Sequence, residues 1–145
     1  MQFKFQPILN LKKHHEDKCR TRLSEEQTKL LRIKQELATL AKTKKNQQKE
    51  VETLLVGKIR PELLTSGSKS LEYIHQKQIE TNTRKSIQEE QVNLARTVLI
   101  EARKGRKTME KLKENYMIRE QQKIMVTEQK RLDEVANNLF YREQR

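Results

Sequence analysis

The residues of this sequence that could do chemistry are two adjacent histidines, a lone histidine, one cysteine and a serine-rich stretch. His14 and His15 could bind a metal ion, but adjacent residues on a helix point about 100° apart and no second cluster of ligating residues accompanies them. We therefore interpret them as a solvated pair. His75 stands alone in the sequence.

Cys19 and the stretch SGSKS at residues 66–70 are equally weak catalytic candidates. A single cysteine excludes an intramolecular disulfide and fits a reducing compartment. It falls on the apolar stripe of the first predicted helix, which favours a buried, inert thiol over a nucleophile. SGSKS resembles the end of a phosphate loop but lacks the upstream Gly, the Gly-Lys step and a preceding strand. We expect no enzymatic activity, no cofactor, no metal site and no small-molecule substrate.

The composition favours long helices over a globular core. Of the 145 residues, 33% are apolar and 36% are charged, whereas a compact domain carries about 45–50% apolar residues. Three Gly and two Pro are too few for a sheet with many turns. Disorder is the competing interpretation for so charged a chain, and only periodicity distinguishes the two.

The net charge of +12 indicates an acidic partner, which could be nucleic acid, an anionic membrane surface or an acidic protein face. No apolar run approaches the roughly 18 residues of a membrane span. The opening residues MQFKFQPILNLKK lack the uninterrupted apolar segment of a signal peptide. We expect a cytoplasmic protein that associates with a membrane peripherally.

Turn-forming residues divide the chain once. Gly57, Pro61 and Gly67 cluster in the middle, so we predict a single coiled-coil domain, 1–145, with a first helical arm at 1–56, a turn at 57–69 and a second arm at 70–142.

A heptad pattern runs through the first arm and argues against disorder. Its two sets of positions, each spaced by seven, are Leu9, Glu16, Leu23, Leu30, Leu37, Lys44, Val51 and Lys58, and Lys12, Cys19, Glu26, Ile33, Leu40, Gln47 and Leu54. The second arm has a predicted seam at Ala95, Val98, Ala102, Gly105, Met109, Leu112 and Tyr116.

The apolar pattern then changes phase and continues at Ile118, Gln121, Met125, Glu128, Leu132, Val135 and Leu139. A slip of two residues turns the stripe by about 200°. The predicted fold class is all-α: a long two-helix antiparallel coiled-coil hairpin with an overhanging C-terminal helix. Folding at 57–69 places residue i opposite roughly residue 126 − i.

Basic residues of the two arms meet in this predicted register and form what we name the basic collar, just behind the overhang. Its members are Lys12, Lys13, Lys18, Arg20, Arg22, Arg103, Lys104, Arg106, Lys107, Lys111 and Lys113. The alternative is that these charges only solvate the outer face of a coiled coil.

Three motifs resemble the FliJ family, the coiled-coil component of the flagellar type III export apparatus. They are FKFQPILNLKK near the start, RKTMEKLKE at 106–114 and EQKRLDEVANNLFYR at 128–142, of which the last is the most specific. Length and the two-arm layout also match, so the resemblance covers essentially the whole chain.

The resemblance implies a stalk-like protein whose terminal helices enter the hexameric export ATPase and promote its assembly. It implies further contacts with the export gate protein in the membrane and with export chaperones, at the cytoplasmic face of the inner membrane at the flagellar base. The implied ATPase-docking tip comprises Phe3, Phe5, Leu132, Val135, Leu139 and Phe140. The implied gate contact comprises Leu37, Leu40, Tyr73 and Ile74.

Three alternatives stay open at this point. A stalk protein of a virulence-type injectisome has the same architecture. A basic coiled coil could bind nucleic acid, although aromatic residues for base stacking make up only 4% and do not alternate with the basic ones. A generic tethering coiled coil would form a parallel homodimer instead of an intrachain hairpin.

Overall fold

The computed structural model describes residues 2–144, and these form two long helices joined by a short turn. Helix α1 spans Gln6–Leu54 and helix α2 spans Pro61–Glu143. No strand occurs in the described part of the chain, and segments of α1 pack antiparallel against segments of α2. The predicted all-α fold with a two-helix antiparallel hairpin is confirmed.

Local sequence explains where the helices begin and end. Pro7 lies in the first turn of α1 and Pro61 is the first residue of α2, positions where the missing N–H and the fixed φ of proline suit a helix. After α1, Gly57 adopts a φ of 84°, a left-handed conformation that favours glycine.

The turn is shorter than predicted and lies earlier in the sequence. Residues 62–69 belong to α2, and Gly67 is a buried helical residue rather than part of a turn. A Cβ atom at position 67 would lie 2.8 Å from Val51 Cγ2. Glycine here permits the two helices to approach closely. In the sequence alone, the same glycine suggested a turn.

The packing of one unit, Lys18–Leu99, follows the predicted heptads of α1. Ile33 and Cys19 are buried, and the other seam positions of α1 in this unit are at least half-buried. Polar layers interrupt the seam. Gln88 Nε2 donates to the backbone oxygen of Glu26 at 3.0 Å and to its carboxylate Oε2 at 2.5 Å.

The other unit comprises Met1–Asp17 and Ile100–Arg145. Leu9 is fully buried in it, and Phe3 packs against Tyr116 with ring centroids 5.6 Å apart. Lys12 lies over Gly105, with its Cδ 3.6 Å from where a Cβ would stand. The predicted register placed Phe3 near residue 123 and Lys12 near residue 114. It was wrong by seven to nine residues because the predicted turn was too late.

The seam of α2 also differs from the prediction. Ala95, Ala102, Met109 and Tyr116 do lie on it, but Val98 and Leu112 are about half exposed. Apart from Lys77, Gly105, Glu110 and Met117, the buried and half-buried positions of α2 form one heptad series at Leu64, Gly67, Leu71, Ile74, Gln78, Thr81, Lys85, Gln88, Val92, Ala95, Leu99, Ala102, Arg106, Met109, Lys113, Tyr116 and Glu120. Many of its members are polar, which is why a search for apolar residues misplaced the phase.

Candidate docking surfaces

The C-terminal part of α2 has no packing partner among the described residues. Every residue from Gln121 to Gln144 is exposed, whereas the buried series continues up to Glu120. We call residues 121–144 the C-terminal segment. Within its own unit it extends α2 beyond the last contacts with the N-terminal residues, which confirms the predicted overhang.

Four apolar side chains of this segment share one side of the helix, and we call them the docking stripe. They are Leu132, Val135, Leu139 and Phe140, each more than half exposed. By helical periodicity Leu132 points about 120° away from Glu120, the last seam residue. The stripe and the seam therefore occupy different sides of α2, as the change of phase in the sequence indicated.

The two N-terminal aromatic residues do not join the docking stripe. Phe3 is only 7% exposed because it packs between Phe5 and Tyr116, and Phe5 is partly exposed beside it. Leu132 lies sixteen residues beyond Tyr116 in the same helix, or about 24 Å along its axis. Phe3 is therefore buried beside the start of α1, and its assignment to the ATPase-docking tip stays a prediction.

Some predicted collar residues bind acidic side chains within the unit of residues 1–17 and 100–145. Glu16 is buried and accepts hydrogen bonds from the Nε atoms of Arg103 and Arg106. Arg106 also binds Glu110 at 2.7 Å, and Lys104 binds Glu101 at 3.1 Å. The carboxylate of Glu110, followed by that of Glu16, raises the pKa of the Arg106 guanidinium above its ordinary value.

The basic collar is thus divided by role. Arg106 occupies a seam position and pairs there with Glu16, whereas an arginine in a basic stretch of sequence indicates a surface charge. The exposed members in this unit are Lys12, Lys13, Arg103, Lys104, Lys107 and Lys111, while Lys113 is half-buried. Lys18, Arg20 and Arg22 belong to the unit Lys18–Leu99 and are exposed there.

The predicted gate contact does not form an exposed apolar surface. Ile74 is buried, and Leu37 and Leu40 are half-buried on the seam. Only Tyr73 is exposed, and the Nζ atom of Lys77 lies 5.7 Å from the centre of its ring. The apolar pattern that suggested a partner surface mainly reports packing of α1 on α2.

The histidines, the cysteine and the serine-rich stretch considered as chemical groups occupy positions that ordinary structural residues also occupy. His14, His15 and His75 are exposed, Cys19 is buried on the seam, and residues 66–70 are helical. Among residues 2–144 no group of His, Cys, Asp and Glu side chains could hold a metal ion. Neither described helix contains a stretch apolar enough to cross a bilayer.

A family model for the flagellar FliJ protein matches residues 1–145, whereas no curated protein and no solved structure matches the chain. Because the family match spans the chain, this protein belongs to the FliJ family, whose members are non-enzymatic components of flagellar protein export.

Proposed function

We propose that the protein is a stalk in flagellar export that docks its C-terminal segment into the hexameric export ATPase and promotes assembly of that ring. The observation that supports this proposal most directly is the exposed docking stripe on the C-terminal segment, the part of α2 that has no packing partner among residues 2–144. Membership of the FliJ family indicates that the partner belongs to the flagellar export system.

Physical chemistry favours a protein partner for the stripe. Burying one Leu, Val or Phe side chain is worth about 1.5–3 kcal/mol, so four of them on one side of a helix can drive docking. The charge of the segment is also suitable. Its four basic and four acidic residues balance in a chain whose net charge is +12, so the segment brings little net charge into an enclosed site.

The basic collar has a separate role in the proposal. Its exposed lysines, including Lys107 and Lys111, lie on the same unit as the docking stripe and would attract an acidic rim of the ATPase. Long-range attraction between such surfaces mainly accelerates association and weakens as salt is added.

The proposal extends to the other partners of the export system. The stalk would couple the ATPase to the membrane export gate protein, with Tyr73 as the exposed residue of the implied contact, and would bind export chaperones. It would work at the cytoplasmic face of the inner membrane, at the base of the flagellum.

The docking role is tested by placing charges on the stripe. The variant Leu132→Asp with Leu139→Asp should abolish stimulation of the export ATPase and strongly reduce motility, because each carboxylate would have to be buried unpaired in the ring. The matched control is Leu94→Asp, which changes a leucine of similar exposure on α2 at 59% against 65% for Leu132.

The role of the basic collar is tested with the wild-type protein. Its rate of association with the export ATPase should fall as ionic strength rises, because salt screens the attraction between the charged surfaces.

Circular dichroism separates docking from folding. The double variant should keep the helicity and melting temperature of the wild type, because the segment lies beyond the packed residues. Full ATPase stimulation by a folded double variant would place docking elsewhere on the protein. Loss of helicity together with binding would show that the stripe is part of a core.

A further inference from the structure

The turn between the helices presents an unusual combination of side chains at the end of the unit Lys18–Leu99. Six residues connect Leu54 to Pro61. The N–H of Leu55 donates to the oxygen of Glu52 at 3.2 Å and that of Val56 to the oxygen of Thr53 at 3.3 Å. These bonds satisfy two carbonyl groups at the end of α1, so the turn has fewer unpaired backbone groups to keep in water.

Aliphatic side chains are concentrated at this turn. Leu55, Val56, Ile59 and Leu63 are all exposed within nine residues. Val56 is 81% exposed, the highest value among the large apolar residues of the described chain. Among the described residues, neither helix covers these side chains.

The charges at the turn are of one sign. Lys58 and Arg60 lie between the exposed aliphatic residues, and no acidic residue occurs between Glu52 and Glu62. Exposed aliphatic side chains beside cations suit the boundary between acyl chains and anionic headgroups, where apolar burial and electrostatic attraction add.

We propose that this turn inserts Leu55, Val56 and Ile59 into an anionic phospholipid surface, with Lys58 and Arg60 bound to the headgroup phosphates. Exposed aliphatic side chains with two cations among them can enter an anionic bilayer interface without a shaped receptor, whereas a protein partner would have to provide both a pocket and acidic groups. The inference deepens the proposed function and rests on it for the membrane-associated location, but it involves neither the docking stripe nor the ATPase.

The absence of tryptophan from the sequence makes a specific test practical. Val56→Trp places one fluorescent tryptophan in the turn of the full chain. The control, Leu94→Trp, places one at a position that is also exposed but lies on the surface of α2. Each protein is mixed with vesicles of phosphatidylcholine alone or with added phosphatidylglycerol, some carrying brominated acyl chains. We expect a blue shift and bromine quenching for Val56→Trp with the anionic vesicles only, and neither for Leu94→Trp.

Sedimentation with the same vesicles measures which side chains contribute. The pair Lys58→Gln and Arg60→Gln should lower the partition coefficient by about thirtyfold, since each basic residue near an anionic surface contributes about fivefold in affinity. The pair Val56→Asp and Ile59→Asp should lower it by a similar factor. Lys34→Gln with Lys42→Gln, which removes two exposed lysines of α1, is the charge-matched control and should change it little.

The results distinguish this inference from its alternatives. Equal responses of the two tryptophan reporters, or equal losses for the turn and control lysine pairs, would mean non-specific attraction of a basic protein and would overturn it. Insertion seen only with native membranes that contain the export gate protein would also overturn it, in favour of a protein partner. Unchanged ATPase stimulation by Val56→Asp with Ile59→Asp would separate this surface from the docking stripe.

Discussion

Replacing two helical glycines by alanine should stabilise the protein at one position, Gly105, but not at the other, Gly67. Gly67 and Gly105 both lie inside α2, where exchanging glycine for alanine is worth about 1 kcal/mol of stabilisation. Their surroundings differ. An alanine Cβ at position 67 would lie 2.8 Å from Val51 Cγ2, whereas at position 105 its nearest neighbour would be Lys12 Cδ at 3.6 Å, an ordinary contact.

The magnitudes follow from these two distances. Gly105→Ala should stabilise the protein by about 1 kcal/mol. At position 67 the new methyl group pushes against a β-branched side chain with few rotamers, and overpacking of this kind costs about 1–3 kcal/mol. Gly67→Ala should therefore range from neutral to destabilising by about 2 kcal/mol once the helix propensity gain is subtracted.

Urea unfolding followed by far-UV circular dichroism measures both changes, and repeating Gly67→Ala in a second background isolates the cause. In a Val51→Ala protein the obstructing Cγ2 atom is gone, so Gly67→Ala should become stabilising by about 1 kcal/mol. Equal stabilisation by Gly67→Ala and Gly105→Ala in the wild-type background would refute the close approach of the helices at this glycine. So would an effect of Gly67→Ala that does not depend on residue 51.

Two further predictions concern the polar layers of the seam. Arg106→Leu should lower the melting temperature because it removes a partner of the buried Glu16 carboxylate, and adding Glu16→Leu should restore it by removing both charges; a double variant no more stable than the single would contradict this. The hydrogen bond from Gln88, followed by that from Lys29, lowers the pKa of Glu26 below its ordinary value of 4.5. The stability that Glu26 contributes is therefore complete above that value and lost as the pH falls through the lower pKa of the folded state. The difference in melting temperature between wild type and Gln88→Leu should shrink from about pH 6 to about pH 3, and a constant difference would exclude this linkage.

Sequence alone determined the fold class and most of the seam of α1, although the predicted seam positions Lys12 and Lys58 are exposed. Leu30, Ile33 and Leu37 are spaced by three and four residues, and that periodicity is a local property that any partner helix must respect. The exposed apolar stripe of the C-terminal segment could also be recognised, because the change of phase in the apolar pattern is visible in the sequence before the packing is known. That this stripe docks remains a prediction.

Tertiary structure decided the register, the seam of α2 and the availability of individual side chains. Gly67 is compatible with a turn or with a close helix approach, and only the position of Val51 distinguishes them. Arginine is usually a surface residue, yet Arg106 lies in the seam because it pairs with Glu16 on the facing helix. Phe3 could have belonged to an exposed tip, but Tyr116 covers it. In each case the outcome depends on a residue more than ten positions away in the sequence, so local pattern could not supply it.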